Sequence, residues 1–325
     1  MLSATAIVLA GIRIAPYGES LGRRTGIGQG WIGLLFLATL TSIPEMTTTV
    51  TGASIGAPNI ALGNAFGSNL FNVVIIAVVD ILLLGRGPFL RKVGKYHILS
   101  GAVAILLTIL AALGIVLGSN LTILGISPVS WLILMGYAAG VFLLYHAEKE
   151  HLLEEEAQGE PMTLAKAAIG FTVCAVVVIV SGFFLIRASK AIALGTGLSG
   201  SFMGAILVAI VTSLPELAAS IGALRIRAYD MIVGNLFGSN MFNILTIFFA
   251  DAAFRSGSIY KGLGADGTWD QLVVALCGML LTVVAVIGLG IRSRKRLGRV
   301  GLDAIAILVA YVAATALIIG RGIQL

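Results

Sequence analysis

Two short strings of polar residues occur twice in this chain, each time inside stretches that are otherwise among its most apolar. Thr41-Ser42-Ile43-Pro44-Glu45 returns as Thr212-Ser213-Leu214-Pro215-Glu216. Gly63-Asn64-Ala65-Phe66-Gly67-Ser68-Asn69-Leu70-Phe71-Asn72 returns as Gly234-Asn235-Leu236-Phe237-Gly238-Ser239-Asn240-Met241-Phe242-Asn243. Both second copies lie 171 residues after the first (45 to 216, 72 to 243), and Asp80 and Asp251 keep that spacing. Polar groups are costly in lipid, so a duplicated set of them points to a site built where two halves of a membrane protein meet.

The composition agrees. Of 325 residues, 58% are hydrophobic and 11% charged, and the mean hydropathy is +1.04. A soluble domain carries about 25% charged residues. The chain therefore reads as an all-α, polytopic membrane protein whose main partner is the lipid bilayer, with room for roughly ten helices of about 20 residues. Ten spans are expected, at about 2–22, 31–55, 60–84, 97–118, 123–145, 164–191, 201–224, 230–254, 270–291 and 301–320. The net charge of +6 sits in short loops between apolar runs, which fits membrane orientation and not a nucleic-acid partner. The apolar N-terminal run lacks a charged n-region and leads into the first span, so no cleavable signal peptide is expected. Cys174 and Cys277 lie mid-span and read as small packing hydrophobes. His97, His146 and His151 fall in loops or at span ends, and the last two have no zinc-motif spacing, so they read as solvated.

Five spans separate each motif residue from its copy. Five is odd, so the copies face opposite ways across the membrane, which makes an inverted-topology repeat of the kind used by secondary transporters. The expected organisation is a first five-helix repeat at 1–145 (motif region 31–84), a charged linker at 146–163 and a second repeat at 164–325 (motif region 201–254). The linker holds Glu148, Glu150, Glu154, Glu155, Glu156 and Glu160 and reads as solvated and partly helical. With these spans, fifteen lysines and arginines fall on one side and five on the other, Arg13 lying within the first span. The richer side is expected to be cytoplasmic, placing the linker inside and both termini outside, in a plasma or inner membrane.

The chemistry centres on Glu45. Pro44 has no N–H, so the carbonyl of Leu40 loses its helical donor. In lipid such a break survives only against protein or a watery cavity. Thr41 and Glu45 are four residues apart and share a helix face. A carboxylate, the hydroxyls of Thr41 and Ser42 and loosened carbonyls thus gather in one place. Glu216, Thr212 and Ser213 form the mirror image, with Pro215 freeing the carbonyl of Val211. Hard cations such as Ca2+ and Na+ take oxygen cages of this kind, and no Cys/His set is present for a soft metal. The glycines of the second motif permit close helix approach. Ser68 with Asn72, and Ser239 with Asn243, can add neutral oxygens. Asp80 and Asp251 are read either as acidic mouths of two access routes or as ordinary helix-end acids. An intramembrane aspartyl protease built on them would need the two acids together, whereas this topology sets them near opposite faces, so no enzyme is expected. A cation channel fits inverted repeats with two half-sites less well than alternating access does.

These motifs closely resemble the alpha repeats of the sodium/calcium exchanger family, within the calcium/cation antiporter superfamily. The resemblance implies a mid-membrane site with Glu45 and Glu216 as bridging carboxylates and hydroxyl ligands at Thr41, Ser42, Thr212 and Ser213. It further implies carbonyl ligands at Ala38 and Ala209, and ligands at Ser68, Asn72, Ser239 and Asn243. It also implies that the first and sixth helices slide over the other eight to switch access. The expected function is Na+/Ca2+ antiport exporting Ca2+ with no cofactor; the alternative is a Ca2+/H+ antiporter. Some relatives, notably potassium-dependent exchangers, carry an aspartate at the place of Asn243. Here Asn72 and Asn243 are both neutral, and the Gly-Asn-x-x-Glu arrangement of proton-coupled relatives is absent, which favours sodium.

Overall fold

The computed structural model describes residues 2–83, 85–151, 162–195 and 211–320. Eleven helices carry nearly all of them: α1 Leu2–Thr25, α2 Gln29–Thr41, α3 Ile43–Ser54, α4 Pro58–Leu82, α5 His97–Leu117, α6 Pro128–His151, α7 Leu164–Gly195, α8 Leu214–Arg225, α9 Tyr229–Ala253, α10 Gly264–Ile291 and α11 Leu302–Gly320. Seven of these are long and apolar enough to cross a membrane: α4, α5, α6, α7, α9, α10 and α11. The other three expected spans correspond to α1, whose hydropathy is lowered by Arg13, Pro16 and Glu19; to α2 with α3, split at Ser42; and to 201–224, of which only the part around α8 lies among the described residues.

Several boundaries differ from the expectation. The fifth span begins at Pro128, not near 123, because Ile123 and Ile126 pair across a turn first. Proline favours the first helical turn, where its missing N–H is not needed. That helix runs on to His151, so the start of the expected linker is helical, and 152–161 lie outside the described residues. The fold is also not purely helical: Arg296–Leu297 and Val300–Gly301 pair antiparallel in the loop between α10 and α11.

α4 and α9 form the centre. Both are buried along most of their length, they pack on each other, and α2, α3, α5 and α8 lie against α9. The motif glycines explain how α2 comes so close. A Cβ on Gly234 would run into the carbonyl of Gly30, and one on Gly238 into the carbonyl of Leu34. α2 thus crosses α9 backbone to backbone, as small residues allow in membranes.

Two acids expected as mouths of two access routes or as ordinary helix-end acids are buried clamps. Asp80 is 3% exposed and accepts from the N–H groups of Phe89 (2.6 Å) and Gly301 (2.8 Å). Asp251 is fully buried and accepts from Ser127 N (2.7 Å), Ser130 Oγ (2.7 Å) and Ile259 N (2.8 Å). Each ties the loop after its own helix to a loop of the other half. The mouth reading fails because both acids are buried and each of their oxygens already accepts a hydrogen bond.

Two further groups, Glu148 expected in solvent and His97 expected in a loop or at a span end, are also buried. His97 begins α5 and pairs through Nε2 with Asp230 at 3.3 Å. Glu148 is 5% exposed, takes the Tyr96 hydroxyl at 3.3 Å and accepts from the N–H groups of Gly30 and Trp31. It thereby occupies the start of α2, where helical N–H groups lack internal partners. Cys174 and Cys277 are buried free thiols, as expected.

α1 and α7 pack on each other and flank this core. Gly11 of α1 abuts Ala218 of α8, while Gly182 of α7, its copy at the 171-residue offset, abuts Pro44 of α3. Ala218 is the counterpart of Thr47, not of Pro44. α1 therefore docks about one helical turn, roughly 4.5 Å, further along its partner than α7 does. Beside the contact of Gly182 with Pro44 an open pocket of about 230 Å³ lies between α3 and α7, lined by Ile43, Pro44, Thr47, Ile179, Val180 and Phe183.

Candidate functional site

The breaks at the two proline motifs take the same shape. Ser42 (φ −91°, ψ 7°) and Ser213 (φ −87°, ψ 8°) leave helical geometry just before α3 and α8 start. The proline follows two residues later and the glutamate falls in the first turn of each new helix. A carboxylate there faces the positive end of the helix dipole. Upstream of the first break, Ile32–Leu37 is wound as a π-helix, a feature absent from the sequence reading and one that often accompanies functional sites. The Ala38 carbonyl at its end accepts from Ser42 N (3.0 Å) and the Thr41 hydroxyl (3.4 Å). Ala209 lies outside the described residues.

Glu45 and Glu216 are each 1% exposed and lie within electrostatic reach of one another. Contacts cross between the halves. Ser42 Oγ donates to Glu216 Oε1 at 3.0 Å, the Thr41 and Ser239 hydroxyls also face Glu216, and Thr212 faces Glu45. Thr41 Oγ1 meets Asn235 Oδ1 at 3.4 Å, while Asn64 Nδ2 donates to the Glu45 carbonyl (3.0 Å) and to Thr49 Oγ1 (2.9 Å). Asn64, Ser68 and Asn72 follow one another at four-residue intervals along α4, so this face turns toward the start of α3. Asn235, Ser239 and Asn243 do the same on α9.

Thr41, Ser42, Glu45, Ser68, Asn72, Thr212, Ser213, Glu216, Ser239 and Asn243 are all buried. Among the described residues, seven of their side-chain oxygens have no hydrogen-bond partner: both of Glu45, Oε2 of Glu216, Oδ1 of Asn72 and of Asn243, and Oγ of Ser213 and of Ser239. Buried polar atoms are nearly always satisfied, so a group of orphans drawn from both halves is an invitation to a ligand that accepts lone pairs. Two carboxylates with neutral oxygens around them match a hard cation, which takes about six to eight oxygens if it is Ca2+.

Asn64, Asn69, Asn235 and Asn240 belong to the repeated motif but were not expected at the site. Their involvement shows only once α4 and α9 are crossed.

A membrane-embedded, mostly helical fold with polar breaks facing each other at its centre defines a polytopic membrane protein of the transporter type, and comparison with known proteins places it. The family model described as "Sodium/calcium exchanger protein" matches residues 1–147 and 166–320, so the chain belongs to that family, one of ion exchangers and not of enzymes. The putative antiporter CaxA of Alkalimonas amylolytica is 27% identical over 298 residues, covering 87% of this chain and 91% of the relative. The inner membrane protein YrbG of Escherichia coli K12 is 27% identical over 278 residues, covering 80% and 82%. In fold, the chain resembles the solved sodium-calcium exchanger NCX_Mj, with a TM-score of 0.68 and 22% identity over 97% of this chain and 95% of that one.

Proposed function

We propose that this chain is a sodium/calcium antiporter that exports Ca2+ on the inward sodium gradient by alternating access at the site between Glu45 and Glu216. One observation carries the reading: among the described residues, two buried carboxylates from the two halves leave three of their oxygens without a partner, and four neutral motif oxygens, of Asn72, Ser213, Ser239 and Asn243, are also partnerless. Two ionised carboxylates neutralise one Ca2+ or two Na+, and the hydroxyl, amide and carbonyl oxygens complete the coordination. Mutually exclusive occupancy then gives exchange without covalent chemistry. The ligand set is Glu45, Glu216, Thr41, Ser42, Thr212, Ser213, Ser68, Asn72, Ser239 and Asn243, with the carbonyls of Ala38 and Ala209. A third Na+ held by neutral oxygens would make the exchange move charge.

The same reading gives ten spans in two inverted five-helix repeats, 1–145 and 164–325, joined by a cytoplasmic linker at 146–163, with both termini outside an inner or plasma membrane. The reciprocal loop clamps of Asp80 and Asp251 support the two-fold relation. The one-turn offset of α1 against α7 supports sliding of these two helices as the switch.

The test is 45Ca2+ uptake into proteoliposomes loaded with Na+, with K+, or bearing only a proton gradient. Uptake driven by internal Na+ and altered by membrane potential is expected. Uptake driven by the proton gradient but not by Na+ would replace this reading with Ca2+/H+ antiport.

A further inference from the structure

Four asparagines cross-link α4 and α9 in a pattern that the two halves contribute equally. Asn69 Nδ2 donates to the Asn240 carbonyl at 3.2 Å, and Asn240 Nδ2 donates to the Asn69 carbonyl at 3.4 Å. Asn243 Nδ2 donates to Asn69 Oδ1 at 3.0 Å, and Asn72 Nδ2 donates to Asn240 Oδ1 at 3.1 Å. All four side chains are at most 5% exposed.

The direction of these bonds is not arbitrary. A backbone carbonyl can only accept, so the end of the Asn69 side chain that meets the Asn240 carbonyl must be its NH2. Its Oδ1 then faces Asn243, and an oxygen there requires Asn243 to present its NH2. The remaining atom of Asn243, Oδ1, is left pointing away. The same steps run from the Asn69 carbonyl through Asn240 to Asn72. At the end of both relays lies an Oδ1 without a partner among the described residues. Ser239, one turn before Asn243 on α9, faces Glu216, and Asn64, two turns before Asn72 on α4, holds the Glu45 carbonyl.

We infer that Asn69 and Asn240 are positioning residues that fix the amide orientation of Asn243 and Asn72, aiming two neutral oxygens at the cation and holding the site at the two formal charges of Glu45 and Glu216. The inference rests on the cation-site reading above. Each relay disfavours an ionised carboxylate at its end, because that would set acceptor against acceptor: the carboxylate of Asn243→Asp against Asn69 Oδ1, or that of Asn72→Asp against Asn240 Oδ1. The two relays also cross between halves. Asn69 serves the asparagine of the second motif, and Asn240 serves that of the first.

The crossing supplies the test. Purified full-length protein is titrated with CaCl2 and with NaCl, and apparent affinity is read from cation-dependent thermal stabilisation. Asn69→Ala and Asn243→Ala should each weaken Ca2+ binding by about 10- to 100-fold, as losses around a metal ligand do. In the double variant the effects should not multiply, because Asn69 acts through Asn243. The pair Asn240→Ala with Asn72→Ala should behave likewise. Asn69→Ala with Asn72→Ala, which lie on different relays, should give the product of the single effects. Asn69→Ser and Asn240→Ser serve in the same cycles if the alanine variants fail to fold. Multiplying effects in the Asn69/Asn243 cycle, or equal coupling in every pair, would overturn the inference and mark the asparagines as general packing. Absence of any Ca2+- or Na+-dependent stabilisation in the unaltered protein would instead overturn the cation site itself.

Discussion

Glu45 and Glu216 are buried within reach of each other, and the neutral groups around them leave oxygens unmatched. A dehydrated divalent ion needs both negative charges, so Glu45→Gln or Glu216→Gln is expected to abolish Ca2+ exchange while leaving a folded protein. Size-exclusion profiles together with 45Ca2+ flux check this; substantial flux in either variant would remove the carboxylate from the site. Asp251 poses the opposite case, an acid with a structural task. Its oxygens take two backbone N–H groups and one hydroxyl. Asp251→Asn turns an NH2 toward at least one of those donors. A loss of about 2–3 kcal/mol is expected, the scale for hydrogen bonds to a charged group. It should be read as a lower melting temperature in detergent, and an unchanged melting temperature would deny the clamp.

At the level of elements, the two flanking helices are not equivalent in the structure. α1 meets α8 through Gly11 at Ala218 and through the backbone of Ile12 at Gly222. α7 meets α3 through Gly182 at Pro44, one turn earlier in register, beside the open pocket of about 230 Å³. A side chain at Gly222 would collide with the Ile12 backbone. Gly222→Leu is therefore expected to lift α1 from α8 and stop exchange, while Ca2+-dependent thermal stabilisation persists because the ligands stay in place. Full transport in this variant would show that α1 need not keep its contact with α8. The breaks that put Glu45 and Glu216 at helix starts belong to this scale too. They follow from Pro44 and Pro215, whose missing N–H groups interrupt the ladder wherever the surrounding fold permits.

For the whole molecule, the proposed orientation rests on the fifteen-to-five distribution of lysine and arginine under the expected spans. A reporter fused after Leu325 and active only in the cytoplasm is expected to stay silent, and one inserted between Glu154 and Glu160 to be active. The reverse pattern would invert the topology and, with it, the side to which α3 leads.

The sequence by itself determined the membrane class, the duplicated motif and the residues gathered at the proline breaks. Those follow from composition, from a fixed 171-residue spacing and from the chemistry of proline, none of which needs distant contacts. Only the tertiary structure decided which polar groups are already satisfied. Asp80, Asp251, His97 and Glu148 look in one dimension like helix-end or loop charges, yet each is bonded or paired by a segment far away in the chain. Asn69 and Asn240 show the same limit from the other side. Their place in the motif is plain, but the direction of their amides is fixed by carbonyls 171 residues away, and that partner exists only where two helices cross.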